Sequence, residues 1–159
     1  MITAVHLHLS LNHLPVVGSV FALALLAWGF WRRSEVLQRA GLAAVIIVAV
    51  AALAAYLTGE PAWEDIMDLP GDNDPYILAH QSAAQFAFGA ASLTGIMALI
   101  TLATGRRRKP VVVWLVIGVL MLSLATAGLM GYAANLGGMI RHTEIRAGGL
   151  AAEVKESKS

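Results

Sequence analysis

The chain has 159 residues, which is enough for one domain. Of these residues 58% are hydrophobic and only 13% are charged. A soluble fold of this length has too little interior to hide so much apolar surface, whereas a lipid bilayer accepts it. The chain contains no cysteine, which excludes disulfides, iron–sulfur clusters and covalently attached haem.

Four segments are long and apolar enough to cross a hydrocarbon core about 30 Å thick, which needs roughly 20 residues of helix. They cover residues 14–31, 40–57, 77–103 and 111–135, and none of them contains Asp, Glu, Lys or Arg. Short connections favour neighbouring antiparallel helices. We therefore predict an all-α, integral membrane, up-down-up-down four-helix bundle in residues 1–147, followed by a mobile polar tail in residues 148–159.

The charges in the connections predict the orientation of this bundle. The first connection holds Arg32, Arg33 and Arg39, and the third holds the run Arg-Arg-Arg-Lys at residues 106–109. The second has no basic residue but six acidic ones, namely Glu60, Glu64, Asp65, Asp68, Asp72 and Asp74. Because basic connections stay in the cytoplasm, we predict a multi-pass protein of the bacterial inner membrane with both termini and the acidic connection outside.

Small residues at helical spacing predict where the helices pack, since they let backbones approach in lipid. The third span carries such a stripe at Ala84, Ala87, Ala91 and Gly95, and the fourth at Gly118, Ala125 and Gly128. Between spans two and three, residues 61–67 predict a short amphipathic helix on the membrane surface. Trp63 and Met67 would face the lipid there.

All five histidines fall at the predicted outer end of the bundle. His6 and His8 lie in the N-terminal segment and are interpreted as interfacial residues. His13 and His80 lie near the starts of the first and third spans, where an ionisable side chain is a functional candidate. His13 shares a helix face with Val17, Val20, Ala24 and Ala27, and His80 shares one with Ala84, Ala87 and Ala91. We expect both faces to point into the bundle.

Three short motifs suggest a family. They are Asn12-His13-Leu14-Pro15 in the first span, His80 opening the third, and Gly137-Gly138 followed by His142 after the fourth. Together they resemble a widespread bacterial four-helix membrane-protein family, known mainly as a domain of unknown function. That family has a His-Phe-Pro signature in its first helix, where this chain has Leu14 in place of Phe. The resemblance implies a four-helix membrane fold and a role for the three histidines, without an established activity.

The favoured functional hypothesis is a b-type haem at the outer end, used for electron transfer. His13 and His80 would be the axial ligands, and a guanidinium would pair with the propionates. The cofactor-binding residues under this hypothesis are His13, His80, His142 and Arg141, with Arg146 as an alternative to Arg141. Its partner would be a larger membrane redox complex or a periplasmic electron carrier.

Two alternatives remain open. The first is a protein-only site for zinc, copper or iron, serving metal handling or redox chemistry, with the ligands His13, Glu60, Glu64, His80 and His142. The second is an accessory subunit of a membrane complex, whose acidic connection docks a partner. Whether the protein is an enzyme stays open. No nucleic-acid partner is expected, because the basic run at residues 106–109 is short and adjoins a span.

Overall fold

The computed structural model describes residues 3–65, 75–105 and 111–146, and every regular element among them is helical. The elements are α1 (Ala4–Leu11), α2 (His13–Trp31), α3 (Glu35–Glu64), α4 (Pro75–Thr104), α5 (Val113–Arg141) and a 3-10 turn at Thr143–Ile145. Only Asn12 separates α1 from α2, and the two together form one membrane-length unit. Four helical units are thus long and apolar enough to cross a membrane: Ala4–Trp31, Glu35–Glu64, Pro75–Thr104 and Val113–Ile140.

The exterior of the bundle is apolar. Only 28% to 33% of each spanning window is buried inside the protein. Large side chains such as Val17, Phe86 and Trp114 are 68%, 72% and 77% exposed. An exterior of this kind is stable against lipid tails, which are as apolar as the side chains themselves.

The second helix runs further than the sequence indicates. Pro61 lies inside α3, which continues to Glu64, so the prediction of a separate surface helix is wrong for residues 61–65. Tertiary contacts hold this segment in the helix: Ala62 is buried, and the Ala4 N–H donates to Asp65 Oδ2 at 3.1 Å. Met67 lies outside the described residues.

The helices form a closed ring in which each packs on its neighbours. In the described part of the chain α2 contacts α3, α3 contacts α4, α4 contacts α5 and α5 contacts α2, whereas α2 and α4 do not touch. The α1 helix packs mainly against α3. The first and third spans therefore lie diagonally across the core.

The two ends of the bundle differ in their polar residues. We call the end with Arg32, Arg33 and Arg39 the basic end, and the opposite end, where α1 and α4 begin, the histidine end. At the basic end Arg33 adopts a φ of 52°, which lets the Ser34 N–H bond the Gly29 carbonyl at 3.0 Å and turns the chain sharply into α3. Arg39 pairs with Glu35 at 2.7 Å and also donates to the carbonyl of Gly105 after α4.

The two helix pairs repeat one pattern of burial. The buried stripe of α2 is Pro15, Ser19, Ala22, Leu26 and Gly29; with identical spacing α4 buries Ala87, Ala91, Thr94, Ala98 and Thr101. Likewise α3 buries Gly41, Val45, Val48, Ala52 and Ala55, and α5 buries Val119, Ser123, Thr126, Met130 and Ala133. The helix pair α2 with α3 and the helix pair α4 with α5 therefore share one pattern of burial.

The predicted small-residue stripe is confirmed on α4 and wrong on α5. Ala87, Ala91 and Gly95 are buried, and a Cβ at Gly95 would lie 2.5 Å from that of Ala49. On α5, by contrast, a Cβ at Gly118 or Gly128 would meet nothing within 4 Å. The helix packs instead through a face of larger residues, because lipid exerts no preference between two apolar faces.

Candidate functional site

His13 does not face the bundle. It is exposed, and its Nδ1–H donates to the Leu9 carbonyl of its own helical segment at 2.8 Å. Val17 and Val20 on the same face are 68% and 59% exposed. The predicted inward face of α2 is therefore wrong, since the buried stripe lies on the other side of the helix.

His142 and the two glutamates are also exposed. His142 follows α5, and its Nδ1 lies 2.8 Å from Glu144 Oε1. The backbone N–H of Glu144, and then the His142 imidazole, lower the pKa of the Glu144 carboxyl below its ordinary value. Glu60 and Glu64 lie on the exposed surface of the last turns of α3. Among residues 3–65, 75–105 and 111–146, no group of three or more His, Asp or Glu side chains is placed to hold a metal ion.

The predicted guanidinium partners behave differently. Arg141 is the last residue of α5, and its side chain lies outside the described structure. Arg146 folds back over the end of α5, where it donates to the carbonyls of Met139 and Ile140 at 2.7 and 3.2 Å. Its guanidinium also stacks 4.5 Å from the centre of the Tyr76 ring. Arg146 therefore caps the helix, which suits a cation at a helix C-terminus.

His80 lies on the buried stripe of α4, as predicted. Its side chain is half-buried, and its Nδ1 lies 2.8 Å from the carbonyl oxygen of Ala133 on α5. Since a carbonyl only accepts, the ring carries its proton on Nδ1 and donates it. A Cβ at Gly137, one turn further along α5, would lie 3.1 Å from His80 Cε1, so a larger residue there would push the ring aside.

His8 repeats this arrangement on the first helix pair. Its Nδ1 lies 3.1 Å from the carbonyl oxygen of Ala55 on α3 and 3.2 Å from Thr58 Oγ1. A Cβ at Gly59, again one turn further along, would lie 3.5 Å from His8 Cε1. The ring of His8 is half-buried, like that of His80.

The paired imidazoles are prepared to act as ligands. Each donates Nδ1–H to a backbone carbonyl of a neighbouring helix, which leaves the Nε2 lone pair as its remaining acceptor. This bond fixes the tautomer and the ring orientation, and it is the usual outer contact of a metal-bound histidine. Asn12, one helical turn from His8, adds a buried Oδ1 that has no hydrogen-bond partner among the described residues.

Sequence reasoning missed His8, although a signal was present. His8 precedes Pro15, Ser19 and Ala22 by the same steps that separate His80 from Ala87, Ala91 and Thr94. Comparing the two helix pairs would have aligned the two histidines. Interpreting His6 and His8 as interfacial residues before the first span instead hid the continuity of α1 with α2.

No protein-family model matches the chain, and no curated protein or solved structure matches it. The family resemblance based on the His13 motif therefore stays a prediction, and the function is argued from the site itself.

Proposed function

We propose that this protein crosses the bacterial inner membrane four times and binds one b-type haem between His8 and His80, transferring electrons at the outer surface. The observation that carries the proposal is the pair of half-buried imidazoles on diagonal spans, each oriented by a carbonyl of the adjacent helix. A b-type haem is held by axial side chains alone. The donor of electrons, or their acceptor, would be a membrane redox complex or a periplasmic carrier.

Contacts between helix ends support the up-down-up-down order. The start of α1 bonds the end of α3 through Ala4 and Asp65, and the start of α3 bonds the residue that follows α4 through Arg39 and Gly105. The start of α4 bonds the last third of α5. Arginines at the basic end favour the cytoplasmic side for that end, which leaves both termini and the histidines outside.

The number of donors favours haem over a protein-only metal ion. A tetrahedral metal site needs three or four protein ligands, whereas the described residues contain no group of three or more His, Asp or Glu side chains placed to hold a metal ion. Two imidazoles are the number that a haem iron accepts along its axis. Glu60 and Glu64, which the metal hypothesis needs, point away on an exposed surface.

The surroundings of the pair suit a flat organic group. The core on this side of the bundle is mainly alanine, including Ala83 and Ala87 on α4 and Ala133 on α5. Alanine leaves the least side-chain volume below the imidazoles, and the buried Asn12 Oδ1 offers an unused acceptor on the His8 side. When bound, haem supplies one-electron redox chemistry at a potential set by its ligands and burial.

The protein's own groups would position the two imidazoles as ligands. The carbonyls of Ala55 and Ala133 accept hydrogen bonds from the Nδ1–H groups, and this would make each Nε2 a stronger electron donor. Each ring borders a glycine of the neighbouring helix, with Gly137 in closer contact with His80 than Gly59 is with His8. Each imidazole is thus held by a rigid helix instead of a loop, which keeps ligand geometry constant between oxidation states.

The experiment is a visible spectrum of the detergent-purified protein, oxidised and then reduced with dithionite, with metal and haem analysis of the same sample. We expect a Soret band that shifts on reduction in the wild type. His8→Ala and His80→Ala should each lose this band. His13→Ala is the matched control, because His13 lies one and a half turns from His8 but is exposed, and it should keep the wild-type spectrum.

Two results would overturn the proposal. One is a colourless wild-type protein from haem-replete cells, with stoichiometric metal pointing to the metal-ion alternative and no metal pointing to the accessory-subunit alternative. The other is loss of the band in His13→Ala with retention in His8→Ala, which would show that the ligand comes from the exposed face.

A further inference from the structure

A small cavity with four hydroxyl groups in its lining lies at the centre of the bundle, far from the histidine pair. Side chains from all four spans line it, and four of them carry hydroxyl groups: Ser19, Thr94, Ser123 and Thr126. These residues are 2% to 4% exposed. They lie near the middles of α2, α4 and α5, at the depth where a bilayer offers no water to a polar group.

The hydroxyl groups do not satisfy one another. Ser19 donates to the Val16 carbonyl at 2.8 Å, and Thr94 donates to the Ala90 carbonyl at 2.7 Å. Thr94 Oγ1 also lies 2.9 Å from Thr126 Oγ1, and because the Thr94 proton is already used, Thr126 must be the donor in that pair. Oxygen lone pairs on Ser19 and Thr126 are then left over.

Ser123 is the member of the group with the most unused hydrogen-bonding capacity. Its Oγ is fully buried and has no hydrogen-bond partner among the described residues, so that both its proton and its lone pairs are unused. A buried polar group of this kind costs free energy unless something pairs with it. The cavity offers ≈ 10 Å³ to the centre of a water molecule, about the minimum that one water needs.

We propose that this cavity is a binding site for one structural water molecule. The water accepts a hydrogen bond from Ser123 and donates to Ser19 and Thr126, which uses the groups left over on two helices, α2 and α5. The positions that line the cavity on α2 and α3 are the equivalents, in the shared pattern of burial, of those that line it on α4 and α5. One water thus joins the two helix pairs at mid-membrane.

The direct test is water-edited solid-state NMR of the wild-type protein in lipid bilayers, which transfers magnetisation from water to nearby protein protons. We expect rapid transfer to Ser123 and Thr126. The control is Thr101, which is fully buried but donates to its own helix at Met97 with a 2.7 Å bond. If transfer to Ser123 is no faster than transfer to Thr101, the cavity is dry and the proposal fails.

A substitution gives an independent test through the sign of its effect. With a bound water, Ser123→Ala removes the donor that holds it, and the midpoint of thermal unfolding in detergent should fall. In a dry cavity the same change deletes an unsatisfied hydroxyl, and the midpoint should stay or rise, which would overturn the proposal. Slower water transfer to Thr126 in Ser123→Ala than in the wild type would complete the support.

Discussion

The two halves of the bundle are filled with side chains of different size. The core nearer the basic end consists mainly of branched residues, including Leu26, Leu42, Val45, Val116 and Val119. Nearer the histidine end, five of the seven core residues are alanine: Ala52, Ala83, Ala87, Ala91 and Ala133. Helix association in lipid depends on packing, so large branched side chains hold the helices together in one half and small alanine side chains do so in the other.

Glycines mark the same difference. At the basic end a Cβ on Gly41 would lie 2.6 Å from Leu26 Cα, and one on Gly29 would lie 2.7 Å from Gln38 N, so these glycines let two backbones touch. At the histidine end Gly137 and Gly59 border imidazole rings instead of backbone. One residue type thus supports packing at one end and a site at the other.

The largest expected effect is from Gly41→Ala. The new methyl group would overlap the backbone of α2, which cannot yield without separating the helices, and we expect the free energy of unfolding to fall by about 1–3 kcal/mol. Unfolding by SDS titration in mixed micelles measures this. The matched control is Gly128→Ala, where a Cβ meets nothing within 4 Å; stability there should stay or rise slightly. Equal losses in both variants would refute the distinction between the halves.

A smaller effect is expected from Gly137→Ala. The added Cβ would lie 3.1 Å from His80 Cε1, so the ring must shift and its 2.8 Å bond to Ala133 should weaken, at a cost of roughly 0.5–1.5 kcal/mol. The ¹⁵N signals of the His80 ring should move while those of His8 stay in place. Gly138→Ala is the control, since its nearest neighbour would be Ile145 Cδ1 at an ordinary 3.8 Å. A similar shift of the His80 signals in both variants would contradict the conclusion that the contact with Gly137 positions the His80 ring.

The presence of four membrane-length helices could be predicted because long runs without charge have one stable environment. Their inward faces could not. In a helix of a soluble protein the apolar face points into the core. In lipid both faces of the helix are apolar, so the spacing of apolar residues does not show which face is buried. Ala24 and Ala27 looked like packing residues yet are exposed, whereas Ser19 and Leu26 are buried.

The sequence predicted the depth of the candidate site in the membrane, but it identified only some of the residues that form it. Charge and span positions suggested that histidines gather at one end, and His80 lies on the buried stripe as predicted. His13 and His8 differ by less than two turns, so depth does not distinguish them; only the angle around the helix does. That angle follows from the spacing of the whole buried stripe, which becomes visible when the two helix pairs are compared.

The smallest effect is expected at the outer edge of the histidine end, where the pair of His142 and Glu144 lies outside the bundle. The pKa of the Glu144 carboxyl is lowered by its own backbone N–H and by His142, so its ionised form is favoured in the folded protein. Its contribution to stability is therefore present above the ordinary pKa of a glutamate, about 4.3, and is lost as the pH falls through the lowered value. A ¹³C NMR titration of the Glu144 carboxyl measures this.

In His142→Ala the pKa of Glu144 should move part of the way back to its ordinary value, because the backbone contribution remains. An unchanged titration curve would mean that the imidazole contributes nothing, whereas a complete return to the ordinary value would mean that the backbone contributes nothing.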